Sequence, residues 1–226
     1  MEDTLLWVVS LKNGQRISPS VAPTWSWASV VSPGGVHFSD FRANIAIQSL
    51  SISPTSVDTY GQLKSAEIIL RGPIVPAKLL SPEQWLEMVT EPEVDPEIRK
   101  VWLEGIELYS SNSHLFGLKV DSQYVMFHPD YPIDLTTSEY FPDLVVCLIC
   151  GSERKGSHVD ERSIPYSYGL VLRCIGDKRI FYKRIGTFGL DYYHSHEKTR
   201  SDGFNGKWLP HYWLLGLSEE AQITIL

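Results

Sequence analysis

The fold is best indicated by residues 168–188, which read YGLVLRCIGDKRIFYKRIGTF. Tyr168–Ile175 and Arg179–Phe188 are two runs rich in apolar, β-branched and aromatic residues, the composition of strands. Gly176-Asp177-Lys178 separates the two runs and has the composition of a tight turn. This segment therefore predicts an antiparallel β-hairpin.

Further strand-like runs lie on both sides of this hairpin. Leu144–Cys150 is apolar on both faces, as expected of a central strand. His114–Val120 and Gln123–His128 flank Asp121-Ser122 and predict a second hairpin. Gln222–Leu226 resembles a last strand. Eight to eleven strands predict a mainly β fold, either an antiparallel barrel or a two-sheet β-sandwich.

The N-terminal third adds four predicted strands. Thr24–Val30 alternates large and small residues, so Trp25 and Trp27 are expected on one strand face. Val36–Phe38 returns after a Pro-Gly-Gly turn. Ile45–Ile52 changes phase, which predicts a bulge near Gln48-Ser49. Ala66–Arg71 alternates in the same way and is expected to end at Gly72-Pro73.

One helical insertion interrupts the strands at about residues 81–104. Ser81 can cap a helix, Pro82 suits its first position, and Gln84 can close a capping box. A second short helix is expected from Pro96 to Leu103. The chain of 226 residues fits one domain, 1–226, large enough to bury a core without disulfides.

Composition argues against several classes of protein. The net charge is −7 and the 20 Lys and Arg residues are scattered, so no basic stripe for nucleic acid is expected. The longest apolar run is too short to span a membrane, and no secretory signal is visible. Three cysteines in apolar strands suit buried thiols in a reducing compartment, so we expect a cytoplasmic protein.

Two clusters resemble metal or redox sites. Cys147 and Cys150 have the CxxC spacing, but residues three apart on a strand point to opposite faces, so no shared ion is expected. His194 and His196 lie together in a polar segment with Asp191 and Glu197, where a surface loop is the more ordinary interpretation. We therefore predict no metal site.

No nucleophile elbow, Gly-rich phosphate loop or papain-like cysteine occurs, so no cofactor is predicted. What remains is a set of polar and aromatic side chains on apolar strands. If a barrel closes, some of them would face its interior and orient a ligand. The predicted catalytic residues are Arg173, Tyr182, Arg184 and His37. The predicted substrate-binding residues are Trp25, Trp27, Phe181 and Lys183.

Several segments together resemble a known family. Asp3–Trp7 reads DTLLW and Ala22–Ser29 reads APTWSWAS, which is similar to the DLLW and APSWSWAS segments of fungal heterokaryon-incompatibility (HET) proteins. Tyr168–Leu172, Arg184–Phe188 and the terminal Ile223–Ile225 resemble the closing strands of the same region. In that family this region follows the signature domain. The resemblance implies a fungal protein, and we expect a free-standing module without that domain.

Two functions from different classes follow as hypotheses. The first is a cofactor-independent enzyme of fungal secondary metabolism, catalysing cyclisation, cycloaddition of the hetero-Diels–Alder kind, or isomerisation. Its substrate would be a hydrophobic or aromatic molecule of the terpenoid or polyketide type. The alternative is a non-catalytic protein-interaction module related to the HET proteins. Rings lining a cavity would favour the first hypothesis, and exposed rings would favour the second.

Overall fold

The structure is a computed structural model that describes residues 5, 7–9, 15–18, 20–31, 36–38, 42–56, 62–80, 84, 87, 116–121, 123–130, 144–153, 166–175, 181–189 and 211–226. The described part is mainly β, as the sequence predicts. Its strands are β1 (Trp7–Val9), β2 (Gln15–Arg16), β3 (Val30–Val31), β4 (Val36–Phe38), β5 (Arg42–Ala43), β6 (Ala46–Pro54), β7 (Leu63–Leu80), β8 (Phe116–Val120), β9 (Gln123–Pro129), β10 (Leu144–Glu153), β11 (Tyr166–Ile175), β12 (Phe181–Gly189) and β13 (Glu219–Ile225). Its helical elements with complete bounds are a 3₁₀ helix, Trp27–Ser29, and α1, His211–Leu217.

Six strands hydrogen-bond in a closed antiparallel ring. The order is β7-β8-β9-β12-β11-β10, and β10 returns to β7. Strand β13 pairs with two strands of this ring. It runs antiparallel to β7 and parallel to β12. Strands β6 and β5 extend the sheet beside β7 and β10. The pairing pattern is that of a small antiparallel barrel with extra strands at its margins.

Strand β7 is far longer than the predicted Ala66–Arg71, because it does not end at Gly72-Pro73. Its first half pairs with β6 and β13, and its second half pairs with β10 and β8. Pro73 lies near the point where β6 gives way to β10, so the missing N–H falls where the ladder changes partner. A Cβ on Gly72 would lie 2.8 Å from the Ile45 side chain, so close packing favours glycine there. The strand therefore belongs to both halves of the fold.

The two faces of the ring carry separate apolar cores. The inner core fills the ring with side chains from all six strands and is joined by Leu214 of α1. The outer core lies on the other face of β7, β10, β11, β12 and β13. Strand β10 contributes to both, with Cys147 and Ile149 inside and Leu148 and Cys150 outside. This two-sided burial confirms the prediction of a central strand.

The prediction that Thr24–Val30 forms one strand is wrong. Residues 24–26 form a turn, a 3₁₀ helix follows, and only Val30–Val31 is strand, paired with β2. The Ser26 side chain accepts a hydrogen bond from the Ala28 backbone N–H at 3.3 Å, and the Ser26 N–H donates to the Pro23 carbonyl. A serine that bonds its own backbone in this way competes with strand pairing.

Several local predictions are confirmed. The ladder between β6 and β7 shifts register between Ile47 and Ser49, where the bulge is expected. Strands β8 and β9 form the predicted hairpin, in which Asp121 takes a positive φ of 51°. Strands β11 and β12 pair from Tyr168 to Ile175, although the turn between them lies outside the described residues. Most of the helical insertion 81–104 also lies outside them, while Gln84 and Glu87 are helical and exposed.

The packing predicts that Gly169→Ala destabilises the protein. A Cβ at this position would lie 2.0 Å from the Leu148 carbonyl oxygen and 2.3 Å from the Phe188 ring. Overpacking of this kind costs about 1–3 kcal/mol, measured as the free energy of unfolding in urea. The matched control is Gly216→Ala in α1, where nothing lies within 4 Å of the added Cβ. That variant should be unchanged or more stable, and an equal loss in both would contradict the prediction.

Candidate functional site

The Arg184 guanidinium, which is fully buried on β12, is hydrogen-bonded on several sides. It donates to both carboxylate oxygens of Asp130, at 2.8 and 2.9 Å. It also donates to the backbone carbonyls of Leu5 and Trp7, each at 2.6 Å. Its central carbon lies 3.4 Å from the centre of a Trp7 ring. Charge, hydrogen bonds and ring stacking therefore converge on one cation.

This cluster anchors the N-terminal segment to the outer face of the ring. Trp7 is fully buried, and its indole N–H donates to the Trp25 carbonyl at 3.1 Å. Trp25 packs against the outer core, and the Thr24 hydroxyl donates to the Leu226 carbonyl. Leu5 itself is a member of that core. Arg184 thus acts as a structural anchor, with its donors directed to the protein rather than to a ligand.

The structure separates the predicted site residues of β11 and β12 into two groups. Tyr182 and Arg184 lie on the outer face, where Tyr182 is buried in the outer core. The expectation that these two would point into a closed barrel is wrong, because alternation along β12 assigns them to the opposite face from Ile185. Arg173, Lys183 and Phe181 lie on the inner face.

These three residues occupy an extension of the inner face beyond the packed interior of the ring. Arg173 and Lys183 lie directly opposite each other on β11 and β12, and both are half-buried. Phe181 is 40% exposed and lies opposite Thr224 of β13. We call this surface the open face and define it as Arg173, Lys183, Phe181, Thr224 and their inner-face neighbours on β7 and β13. It combines cationic donors with an exposed aromatic ring.

The neighbouring part of the open face carries an ion pair. The guanidinium Nε of Arg71 lies 3.1 Å from a carboxylate oxygen of Glu220, and both side chains are more than half exposed. Such a pair contributes little to stability in water. It makes the open face polar along β7 and β13, in contrast to the apolar interior that it continues.

Of the remaining predicted residues, Trp25 and Trp27 do not join this surface. Trp25 packs against the outer core, and Trp27 is 52% exposed on the 3₁₀ helix, so the two do not form one wall. His37 lies on β4 opposite Val8, and its side chain is outside the described part of the chain. Asp130, which sequence reasoning missed, is 54 positions from Arg184 and has no motif around it.

Both strand cysteines of the CxxC pair are buried, on opposite faces as expected. Burial raises the pKa of the Cys147 thiol far above its ordinary range and that of Cys150 to about 12. Both thiols are therefore protonated at neutral pH, and a protonated thiol is a poor nucleophile. Within the described ranges, no group of three His, Cys, Asp or Glu side chains could hold a metal ion. His194, His196, Asp191 and Glu197 lie outside those ranges.

Comparisons with known proteins add no relative. No family model, curated protein or solved structure matches this chain. The resemblance to HET proteins therefore stays a prediction from the sequence. Among the described helices, none has the length and apolar character needed to cross a membrane.

The geometry of the buried cluster predicts that Arg184→Met is strongly destabilising. Removing the cation leaves the Asp130 carboxylate, which is 2% exposed, without its charged partner. Such a loss costs about 3–5 kcal/mol in the free energy of unfolding. Arg184→Met combined with Asp130→Leu should recover part of that loss, but not all, since the Leu5 and Trp7 carbonyls stay unbonded. A double variant no more stable than the single variant would contradict this account.

From the position of His128 we predict that the folded protein loses stability in mild acid. It lies opposite Thr187 between β9 and β12, and burial lowers its pKa to about 4, below the usual 6.5. The unfolded chain therefore takes up this proton at higher pH than the folded chain. The contribution of neutral His128 to the free energy of unfolding is complete above about pH 6.5 and is lost as pH falls toward 4. The loss is at most about 3 kcal/mol.

The measurement for His128 is the free energy of unfolding at pH 7.5 and pH 4.5, for the natural chain and His128→Gln. The variant should lose less stability between the two pH values, because glutamine does not titrate. Equal losses in the two proteins would contradict a role for His128.

Proposed function

We propose that this protein is a cofactor-independent enzyme of fungal secondary metabolism that binds a small hydrophobic molecule on its open face. The substrate class is a terpenoid- or polyketide-type compound that carries a carbonyl or a similar polar oxygen. The reaction is a cyclisation, a cycloaddition or an isomerisation. Each of these rearranges bonds within the substrate and needs no oxidant, reductant or transferred group.

The observation that carries this proposal is the grouping of Arg173, Lys183 and Phe181. These three predicted residues come from two strands, and the ladder between β11 and β12 brings them to one surface. An exposed ring provides apolar contact area, while a guanidinium and an ammonium provide donors to an oxygen. Ligand sites commonly combine a largely apolar surface with a few directed polar groups.

The roles follow from the chemistry of each side chain. Arg173 is the proposed catalytic residue, because a planar guanidinium can donate two hydrogen bonds to a substrate oxygen and polarise the adjoining bond. Lys183 and Phe181 are the proposed substrate-binding residues. Holding two reactive groups in contact geometry contributes about 7–11 kcal/mol to lowering a barrier, so positioning is the larger part of the proposed catalysis.

A different set of side chains favours the alternative, a protein-interaction module. Leu50 and Ile52 of β6 are 40% and 52% exposed, and Trp27 and Val31 are exposed in the N-terminal segment. Exposed apolar side chains that cluster on a surface are a feature of partner-binding sites. The packed inner core also leaves the ring filled by its own side chains in the described part. A protein partner would bind these apolar positions rather than Arg173.

A gene deletion in the source organism tests the enzyme proposal. The metabolite profile of the deleted strain is compared with that of its parent. We expect one product to disappear and its uncyclised precursor, or spontaneous by-products of it, to accumulate. An unchanged profile would contradict the enzyme and favour the interaction module.

Complementation of the deleted strain then tests the site. Arg173→Ala should lower the rate of product formation on the order of 10², the effect of losing one donor to a developing charge. Tyr182→Phe should retain the rate, because Tyr182 faces the outer core, and Lys64→Ala on the exposed start of β7 is a charge-matched control. Full product formation by Arg173→Ala would remove the catalytic role from this residue.

A further inference from the structure

Strand β6 lies at an edge of the sheet. Within the described part of the chain it pairs with β7 alone, through a ladder from Ala46 to Pro54. The edge that faces away from β7 meets no described strand. Backbone N–H and C=O groups at such an edge are a template for another strand.

The segment Ser49–Ser53 lacks the features that usually protect an edge. Natural edge strands carry lysines, prolines or bulges that prevent pairing with another chain. Here the two register shifts of the ladder lie outside this segment, before Ser49 and after Ser53, and the proline follows at position 54. No charged residue occurs anywhere from residue 43 to residue 57. Five uncharged residues therefore form an unguarded stretch.

The apolar and the polar side chains of this stretch lie on opposite faces of the strand. Leu50 and Ile52 lie on the outer face, opposite Ile68 and Ala66 of β7, and are largely exposed. The alternating serines at 49, 51 and 53 lie on the inner face. One face of the edge is thus apolar and the other carries only hydroxyl groups.

We propose that Ser49–Ser53 pairs antiparallel with the same segment of a second copy of this chain, joining the two sheets. A two-fold axis through Ser51 places Ser51 opposite its own copy, Leu50 opposite the partner's Ile52, and Ser49 opposite the partner's Ser53. Apolar side chains then meet apolar side chains on one face, and hydroxyls meet hydroxyls on the other. The inference does not depend on the proposed enzyme function.

The absence of charge is what selects a second copy as the occupant. An acidic or basic partner strand would find no opposite charge along this edge, whereas an identical segment is complementary on both faces. A five-residue ladder is small beside a stable interface, which buries about 1,200–2,000 Å². The dimer is therefore weak and depends on protein concentration.

Sedimentation of the purified full chain over a range of concentrations tests the proposal. We expect a monomer at low concentration and a reversible increase in mass toward a dimer as concentration rises. Ser51→Lys places two ammonium groups directly opposite each other across the axis and should weaken dimerisation up to about fivefold. Ser65→Lys is the control, because Ser65 is exposed on β7, one strand in from this edge and opposite Ser53.

Ser51→Thr keeps the strand neutral and should retain the dimer, which separates charge from any effect of altering Ser51. Circular dichroism checks that each variant keeps its β fold. A natural chain that stays monomeric up to its solubility limit would overturn the proposal. A dimerisation constant unchanged by Ser51→Lys, or weakened equally by Ser65→Lys, would also overturn it, since the contact would then lie elsewhere.

Discussion

The buried guanidinium of Arg184 is the interaction on which the N-terminal part of the fold depends. Asp130 neutralises its charge, and the carbonyls of Leu5 and Trp7 accept further hydrogen bonds. A desolvated cation without these partners would be very unfavourable, so the N-terminal segment is required at this position. The ring alone does not complete the structure, because its outer face needs the segment that Arg184 holds in place.

The two faces of the sheet pack against different partners. The inner core packs six strands against one another, and the outer core packs five strands against the N-terminal segment. Strand β7 takes part in both because its second half belongs to the ring and its first half to the flanking sheet. Within the described part of the chain, the two surfaces proposed for binding lie at the margin of this packing, namely the open face and the edge of β6.

These two margins differ in chemistry, which separates the roles proposed for them. The open face carries Arg173 and Lys183 and suits a molecule with a polar oxygen. The edge of β6 carries no charge and offers backbone groups with Leu50 and Ile52, which suits another strand. The two proposals therefore call for different partners, because charged donors and neutral apolar side chains favour different chemistry.

The sequence by itself determined the mainly β class, the two hairpins, the bulge in β6 and the opposite faces of Cys147 and Cys150. These features depend on alternation and turn chemistry within a few neighbouring residues. Only the tertiary structure decided which face of β12 is enclosed by the ring, and so whether Arg184 contacts a ligand or Asp130, 54 positions away. It also decided that Thr24–Val30 turns instead of extending. Alternation shows that two faces differ, but the identity of each face depends on partners that are distant in sequence.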